Sequence, residues 1–325
     1  MPQGTYAVLS EEYGDLPIID VTHPAFRVDA TDKELAAMSQ KFANEQAQRE
    51  QIPAEVRAAL RRSVLGRALA AASGSYLSGM STYLIKLGPG NLWPDAQEID
   101  RKIAASLPGL ASRIRLQDMA RMLADGLGQS IAAEPGRRIC IVNIAGGTAA
   151  DSWNGLICVR ALSRQMLDGR SIRIAVLDRD ATGPAFGARA IHRLKEADAP
   201  LFGLEIGFEH IRYDWSESST LAAILSDIGA AEAACAVSSE GGLFEYGSDD
   251  EIVSNLSVLR ESTGAHAFVV GSVTRDCEAV RANGRVVASR PRTIEAFQGL
   301  AERAGWRLDE AIERPFSYHV SLRRG

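Results

Sequence analysis

The stretch 137-RRICIVNIAGGTAAD-151 decides the fold that the rest of the sequence builds on. Its apolar run, residues 139–144, stops at Ala145-Gly146-Gly147, and a segment of helical character follows. A short β-rich run that ends in small residues and turns helical predicts a strand, a tight turn and a helix. Glycine in such a turn supplies either a positive φ or a backbone that a ligand can approach closely. The turn is therefore either a binding site for a flat or anionic group or a simple chain reversal.

A second predicted strand, residues 172–178, follows a segment of helical length and ends in the carboxylate of Asp178. Strand, glycine turn, helix and strand with a terminal acid form the nucleotide-binding half of a doubly wound sheet, in which the acid accepts hydrogen bonds from ribose hydroxyls. The turn does not spell Gly-x-Gly-x-x-Gly, because Ala145 and Ala149 stand where glycines are expected. A dinucleotide pyrophosphate needs close backbone approach at several points, so the missing glycines argue against one.

In these residues the sequence resembles the class I S-adenosylmethionine-dependent methyltransferases. The first strand of that family ends in an acid-x-Gly-x-Gly pattern, and Asn143-Ile144-Ala145-Gly146-Gly147 is similar to it, with Asn143 in place of the acid. The resemblance covers residues 129–325. It implies S-adenosyl-L-methionine as the cofactor, S-adenosyl-L-homocysteine as the product, and hydrogen bonds from Asn143 to the methionine end of the cofactor.

The last two predicted strands, residues 306–313 and 317–323, are too close in sequence for a helical crossover and must pair antiparallel. The parallel sheet of the methyltransferases ends in such a pair. From residue 137 onward strands and helices alternate, which predicts a parallel sheet covered on both faces. We therefore expect an α/β fold with a Rossmann-like doubly wound sheet, mostly parallel with an antiparallel C-terminal strand pair. Residues 129–325 would form this cofactor-binding domain.

Residues 1–128 precede the sheet and are mainly helical in pattern. The capping box Thr31-Asp32-Lys33-Glu34 predicts a helix from Asp32 to about residue 51. The segment 74–93 mixes small residues, aromatics and glycine turns, as lids and binding loops do. Tyr76, Tyr83 and Lys86 are its candidates for contact with cofactor or substrate, with core packing the alternative for both tyrosines. We expect this region to act as a lid over the acceptor and as the contact of a possible homodimer.

The composition of the chain argues against nucleic-acid and membrane partners. With a net charge of −5 and arginines scattered along the chain, no basic patch for nucleic acid is present in the sequence. No apolar stretch reaches the ~20 residues needed to span a bilayer, and the N-terminus has no secretory signal. The four cysteines form no Cys-x-x-Cys pair and are interpreted as free thiols of a reducing compartment. The sequence predicts a cytoplasmic protein without membrane or nucleic-acid partners.

The resemblance places cofactor contacts at the ends of the strands. Asp214 is similar to the acid that binds the adenine amino group, although it could equally cap the helix after it, and Trp215 could cover the adenine face. Arg179, which follows Asp178, is a further candidate. The full set of predicted cofactor-binding residues is Asn143, Ala145, Gly146, Gly147, Asp178, Arg179, Asp214, Trp215, Ser238 and Tyr83.

The loop after the fourth strand, residues 238–246, lies where the family places catalytic or substrate-facing groups. Glu240 is the candidate general base, because a carboxylate in a dry pocket has a raised pKa. Hydrogen bonding within the glycine-rich loop is its alternative role. Tyr246 could orient a nucleophile or line the pocket. The five histidines show no metal-ligand spacing and are interpreted as structural, so no metal site is expected.

These features predict a methyltransferase that transfers the methyl group of S-adenosylmethionine to an O, N or C nucleophile of a small molecule. A nicotinamide-dependent reductase is the alternative enzyme, disfavoured by the absent third glycine and the antiparallel end of the sheet. A catalytically inactive cofactor-binding or regulatory protein of the same fold is the other alternative, kept open by Asn143 and Ala145.

Overall fold

The computed structural model describes residues 2–48, 53–72, 76–283 and 289–325. Its N-terminal region begins with an antiparallel hairpin of β1 (Ala7–Ser10) and β2 (Gly14–Pro17). Six helices follow: α1 (Asp32–Ala47), α2 (Ala54–Arg62), α3 (Val64–Ala71), α4 (Gly79–Lys86), α5 (Glu98–Ala105) and α6 (Leu107–Ala133). The capping box before α1 is confirmed, since Glu34 N–H donates to Thr31 Oγ1 (3.2 Å) and Thr31 N–H donates to Glu34 Oε2 (2.8 Å). Helix α1 ends at Ala47, and the last part of the helix predicted to about residue 51 lies outside the described residues.

The predicted domain boundary at 128/129 falls inside α6, which continues without a break to Ala133. Gly128 does not end the helix, and Gly126 has a packing role. A Cβ at Gly126 would lie 2.2 Å from the ring of Phe268, so only glycine lets α6 approach the sheet this closely. The helical region and the sheet domain are thus joined by one continuous helix instead of a linker.

The seven-stranded sheet contains β3 (Ile139–Ile144), β4 (Ser171–Asp178), β5 (Glu205–Arg212), β6 (Ala234–Ser239), β7 (Phe268–Thr274), β8 (Trp306–Glu313) and β9 (Ser317–Arg324). Its strand order is β5-β4-β3-β6-β7-β9-β8. The first five strands are parallel, while β9 runs antiparallel to both β7 and β8. The predicted mostly parallel sheet with an antiparallel C-terminal pair is confirmed.

The remaining helices cover the sheet: α7 (Ala150–Leu162), α8 (Thr182–Leu194), α9 (Leu221–Asp227), α10 (Leu243–Tyr246), α11 (Asp249–Ser262), α12 (Glu278–Asn283) and α13 (Ile294–Arg303). Side chains of β3 alternate between two apolar clusters. Ile139 and Ile141 pack with α6 and α7, whereas Cys140, Val142 and Ile144 pack with α11 and α13. Both faces of the sheet are therefore buried, as expected for parallel strands.

The N-terminal arm, residues 17–21, packs against the sheet domain. Trp153 Nε1 of α7 donates to the Ile19 carbonyl (2.9 Å), and Val21 N–H donates to Asn154 Oδ1 (2.8 Å). Tyr83 of α4 donates its hydroxyl to the Pro17 carbonyl (2.8 Å) and accepts from Ile19 N–H (3.1 Å). These bonds fix α4 relative to α7. No helix in the described part of the chain is both long and apolar enough to cross a bilayer.

Candidate functional site

A cavity of about 330 Å³ lies at the carboxyl ends of the parallel strands, where the strand order reverses between β3 and β6. Ligands of open α/β sheets bind at this switch point. The turn after β3, the end of β4 and the loop after β6 form one side of the cavity. Helix α4 and the residues before it form the other. The volume is at the lower end of the range for small-molecule sites, roughly 300–1,000 Å³.

The turn after β3 contains three residues in the left-handed conformation, Ala145 (φ 55), Gly147 (φ 53) and Ala149 (φ 57). For alanine this conformation costs on the order of 1 kcal/mol, so the surrounding structure must hold it in place. Ala145 N–H donates to the Leu177 carbonyl (2.7 Å), which ties the turn to the end of β4. Ala145, Gly146 and Gly147 all line the cavity.

Gly147 is packed from two sides by other glycines. A Cβ at Gly79 of α4 would lie 2.4 Å from Gly147 Cα, and one at Gly183 of α8 would lie 2.8 Å from the Gly147 carbonyl carbon. The glycines of this region thus serve positive φ and close helix packing. The sequence predicted positive φ or ligand approach for these glycines, and it did not predict the close packing of helices against the turn.

Asp178 ends β4 and faces the cavity. Its Oδ2 accepts from Gly147 N–H (2.8 Å) and its Oδ1 accepts from Asp180 N–H (2.9 Å). Burial raises the pKa of this carboxyl, while the two backbone N–H groups oppose the rise. A carboxylate oxygen can accept a second hydrogen bond, so Asp178 can bind two neighbouring hydroxyls while it holds the turn.

Three of the aromatic residues that line the cavity form what we call the aromatic cluster: Tyr76, Trp215 and Tyr246. The ring centroid of Tyr76 lies 5.9 Å from that of Trp215 and 5.9 Å from that of Tyr246. Tyr76 is 40% exposed. Arg179 Nη1 donates to its hydroxyl (3.2 Å). Such a cluster offers apolar ring faces to a flat ligand.

Asp214 caps the 3-10 segment Trp215–Thr220 instead of facing the cavity. Its Oδ1 accepts from the N–H (3.1 Å) and the hydroxyl (2.8 Å) of Ser216, and its Oδ2 pairs with Arg179 (3.3 Å). The capping alternative is therefore the role that the structure gives it. Contact with an adenine amino group would require this carboxylate to leave its partners.

Asn143 and Ser238 lie beneath the turn and do not line the cavity. Asn143 Nδ2 donates to Asp151 Oδ1 (2.7 Å) and Ser152 Oγ (3.0 Å), and the Ser238 hydroxyl donates to Asp151 Oδ2. Both side chains are fully buried. They position the turn through Asp151, and direct contact with a ligand would need a rearrangement.

Asp151, in the first turn of α7, was given no role by the sequence analysis. Burial, with a contribution from the nearby charge of Glu240, raises its pKa to about 6. The signal for it was present, because an acid in the first turn of the helix after a glycine turn is placed next to the strand ends by the βαβ geometry.

Tyr83 does not reach the cavity. It is 1% exposed, and its ring centroid lies 4.8 Å from that of Phe186 in the core. Its hydroxyl bonds to Pro17 and Ile19 of the N-terminal arm. The structure places Tyr83 in the core and not at the cavity where a cofactor contact was predicted. The core alternative fits this placement, whereas Thr82 and Lys86 of the same helix line the cavity.

Glu240 belongs to a buried charge cluster of Lys86, Arg115, Glu240 and Glu245. Lys86 Nζ lies 2.7 Å from Glu240 Oε2, Arg115 Nε 3.1 Å from Glu240 Oε1, and Arg115 Nη1 2.9 Å from Glu245 Oε1. Burial raises the pKa of Glu240, but Lys86 and Arg115 outweigh this and hold the pKa below its usual value. The predicted general base is therefore a poor proton acceptor.

Arg115 was missed because it lies on α6, far from Glu240 in sequence, and nothing local marks it. Tyr246 lines the cavity as predicted. Burial, and then the charge of Glu245, raise its pKa, so the phenol stays protonated near neutral pH. Among the residues that the structure describes, no cluster of three or more His, Cys, Asp or Glu side chains could hold a metal ion.

Comparison with known proteins gives matches in structure alone. No protein-family model and no curated protein sequence matches the chain. A possible exported protein from Bordetella parapertussis aligns over 91% of this chain and 98% of its own, with 17% identity and a TM-score of 0.58. This similarity shows a shared fold.

Two further solved structures match less well; one is a methyltransferase and the other is a biosynthetic protein. Magnesium protoporphyrin IX methyltransferase from Synechocystis PCC 6803, with bound S-adenosylhomocysteine, aligns over 68% of this chain and 89% of its own, with 11% identity and a TM-score of 0.44. The pyocyanin biosynthetic protein PhzM aligns over 91% and 74%, with 15% identity and a TM-score of 0.44. These scores carry no argument about function. The sheet order, the switch-point turn and the antiparallel C-terminal pair give the chain a Rossmann-like doubly wound fold.

Proposed function

We propose that the chain is an S-adenosylmethionine-dependent methyltransferase that acts on a small molecule. One observation carries the proposal: Asp178, at the end of the second parallel strand, hydrogen-bonds to the turn after the first and faces the switch-point cavity. In a doubly wound sheet an acid at this place binds ribose hydroxyls.

The residues present fit the cofactor. Asp178 would accept from the ribose hydroxyls, and Trp215 with Tyr76 would pack on the adenine face. Lys86 lines the cavity, and its ammonium group donates to Glu240 with one of its three hydrogens. Its remaining donors can bind the carboxylate of the methionine end. Asp214 does not contribute in this arrangement, and Asn143 and Ser238 act through Asp151.

The bound cofactor would supply a methyl group on a sulfonium, which a nucleophile attacks in line. The chain's own residues hold donor and acceptor together, and such positioning can account for much of the rate. Helix α4 and Tyr76 cover the cavity and reduce access of water. We therefore propose that residues 1–128 act as the lid of the site. Dimerisation through the N-terminal helices stays a prediction, as does a cytoplasmic location.

Calorimetric titration of the purified protein with S-adenosylmethionine and S-adenosylhomocysteine tests the proposal. We expect both to bind. Asp178→Ala should weaken S-adenosylhomocysteine binding roughly 10- to 100-fold, since a hydrogen bond to a charged acceptor contributes ~1.5–3 kcal/mol. Glu205→Ala is the matched control, because it removes an exposed acid from the neighbouring strand β5 at the end opposite the cavity, and its affinity should stay within about threefold of the parent. Absence of binding to either compound, or equal losses in both variants, would contradict the proposal.

The pairing of Glu240 favours one alternative, a chain that binds the cofactor and transfers nothing. Release of S-adenosylhomocysteine in the presence of a panel of hydroxyl, amine and carbon acceptors separates the two. Turnover with any acceptor excludes the inactive protein. Quenching by NADH without binding of S-adenosylhomocysteine would instead favour the reductase.

A further inference from the structure

A second cavity of about 150 Å³ adjoins the first at Tyr246, which lines both. It lies between the start of α6, the end of β7 and the start of β9, at the same edge of the sheet. Its walls include the apolar side chains Pro108, Ala111 and Phe316, the hydroxyls of Ser112, Thr274 and Ser317, and the ion pair of Arg115 and Glu245 from the charge cluster. The volume lies below the roughly 300–1,000 Å³ of drug-sized ligand sites and limits an occupant to a single small ring.

One of these hydroxyls, Ser317, is the end of a buried hydrogen-bonded chain. Ser317 Oγ lies 3.0 Å from His319 Nε2, and His319 Nδ1 lies 2.8 Å from Asp118 Oδ2 of α6. Ser317 and His319 share a face of β9 because side chains alternate along a strand. His319 is 0% exposed, so Ser317 alone connects this chain to the cavity.

The charges around His319 fix where the protons lie. Arg314 donates to Asp118 through Nε (2.7 Å) and Nη2 (3.1 Å). Burial raises the pKa of Asp118, but His319 and Arg314 outweigh this and lower it, so the carboxyl is ionised. Burial lowers the pKa of His319 against the effect of Asp118, and the charges of Arg115 and Arg314 lower it further. The imidazole is therefore neutral at pH 7.

This arrangement determines what Ser317 can offer to a ligand. Ionised Asp118 can only accept, so His319 Nδ1 carries the ring hydrogen and Nε2 has a free electron pair. The Ser317 hydroxyl hydrogen is then donated to Nε2. Its oxygen faces the cavity with acceptor capacity only, and the group that it binds must be a donor.

We propose that the smaller cavity binds the methyl acceptor as a small hydroxylated ring of the phenol type, and that Ser317 and His319 take its proton. This rests on the proposed methyltransferase function. The acceptor O–H proton passes to Ser317 Oγ while the Ser317 proton passes to His319 Nε2. The acceptor oxygen forms a bond to the methyl carbon, the carbon–sulfur bond breaks, and its electron pair stays on sulfur as the thioether. Asp118 stabilises the imidazolium until the proton returns through Ser317 to water that enters the cavity after product leaves.

The binding step is tested without cofactor by titrating the full chain with phenol and with toluene, which matches it in shape and lacks the donor. We expect phenol to bind more tightly, and the preference to fall roughly three- to tenfold in Ser317→Ala. Ser321→Ala is the matched control, since Ser321 lies buried on the same face of β9 and lines neither cavity. An unchanged preference in Ser317→Ala, or no binding of phenol to the parent, would overturn the proposal.

The proton step is tested by turnover of phenol with S-adenosylmethionine. His319→Gln should lower kcat roughly 100-fold or more with a nearly unchanged KM for phenol. The parent's rate should rise with pH in the range below 6.5 and the variant's should not. If S-adenosylhomocysteine binds and the two pH profiles coincide, the relay is wrong and the methyltransferase function stands. If S-adenosylhomocysteine does not bind, the function itself fails, while the phenol preference still reports on Ser317.

Discussion

The aromatic cluster and the charge cluster meet in the same cavity and are built in opposite ways. Tyr76 of the aromatic cluster is exposed and held by one hydrogen bond from Arg179. Glu240 of the charge cluster is 5% exposed and held by Lys86 and Arg115. Buried charges require partners because desolvation penalises them heavily, and those partners remove the reactivity that burial alone would create. The aromatic cluster can therefore adapt to a ligand, whereas the charge cluster mainly ties α4 and α6 to the loop after β6.

The largest change in stability is expected for Arg115→Ala, which tests whether the charge cluster is a structural tie. Removing Arg115 leaves Glu245 without its ion-pair partner and Glu240 with only Lys86. Loss of one partner from a buried pair costs about 3–5 kcal/mol, and we expect a decrease of this size in the free energy of unfolding. Urea denaturation measures it. Arg121→Ala on the same helix is the control, because its pairs with Asp125 and Glu310 are exposed and should contribute about 1 kcal/mol or less. Similar losses in both variants would mean that the charge cluster has no special role.

The second effect concerns Asp151, which lies buried beside Glu240. A folded-state pKa of about 6, raised from 3.8, means that its stabilising contribution is complete below pH 3.8 and is lost as pH rises through 6. This rise corresponds to roughly 3 kcal/mol. Asp151→Asn does not titrate, so its stability relative to the parent should improve by about that amount between pH 4 and pH 7. Urea denaturation across this range is the measurement, and Asp125→Asn, an exposed acid on α6, is the control. A stability difference that does not vary with pH would show that Asp151 is ionised throughout.

The smallest effect separates the two tyrosines. Tyr83→Phe removes the partner of the buried Ile19 N–H and should lower the free energy of unfolding by about 1–3 kcal/mol, with S-adenosylhomocysteine affinity unchanged. Tyr76→Phe removes only an exposed bond to Arg179, so its stability should change by less than about 0.5 kcal/mol while the affinity shifts. Thermal melting with and without the ligand measures both. The reverse pattern would place Tyr83 at the site after all.

Local patterns in the sequence were sufficient for the sheet. The apolar run before Ala145, the acid at the end of β4 and the close spacing of β8 and β9 each depend on neighbouring residues, and all three predict the structure correctly. The capping box at Thr31 is of the same kind. Asp178 could be found because strand ends of a parallel sheet meet at one edge.

Pairings across the chain could not be found in this way. Lys86 and Arg115 reach Glu240 from α4 and α6, and the pKa of Glu240 changes direction because of them. Asp118 meets His319 only because α6 packs beside β9. Tyr83 and Tyr76 share a glycine-rich neighbourhood in the sequence, but only Tyr83 packs in the core, beside Phe186, whereas Tyr76 precedes α4 and is exposed at the cavity. Such facts follow from tertiary packing, for which no local signal exists.

The contact between Gly79 and Gly147 limits how α4 can move. Backbone already meets backbone there, since an added Cβ at Gly79 would lie 2.4 Å from Gly147 Cα. Helix α4 therefore cannot come closer to the turn, and only outward motion is available to it. A methyl group at position 79, which itself lines the cavity, would clash with the turn and force α4 outward, and this would widen the cavity. This makes position 79 a starting point for engineering the site to accept bulkier compounds.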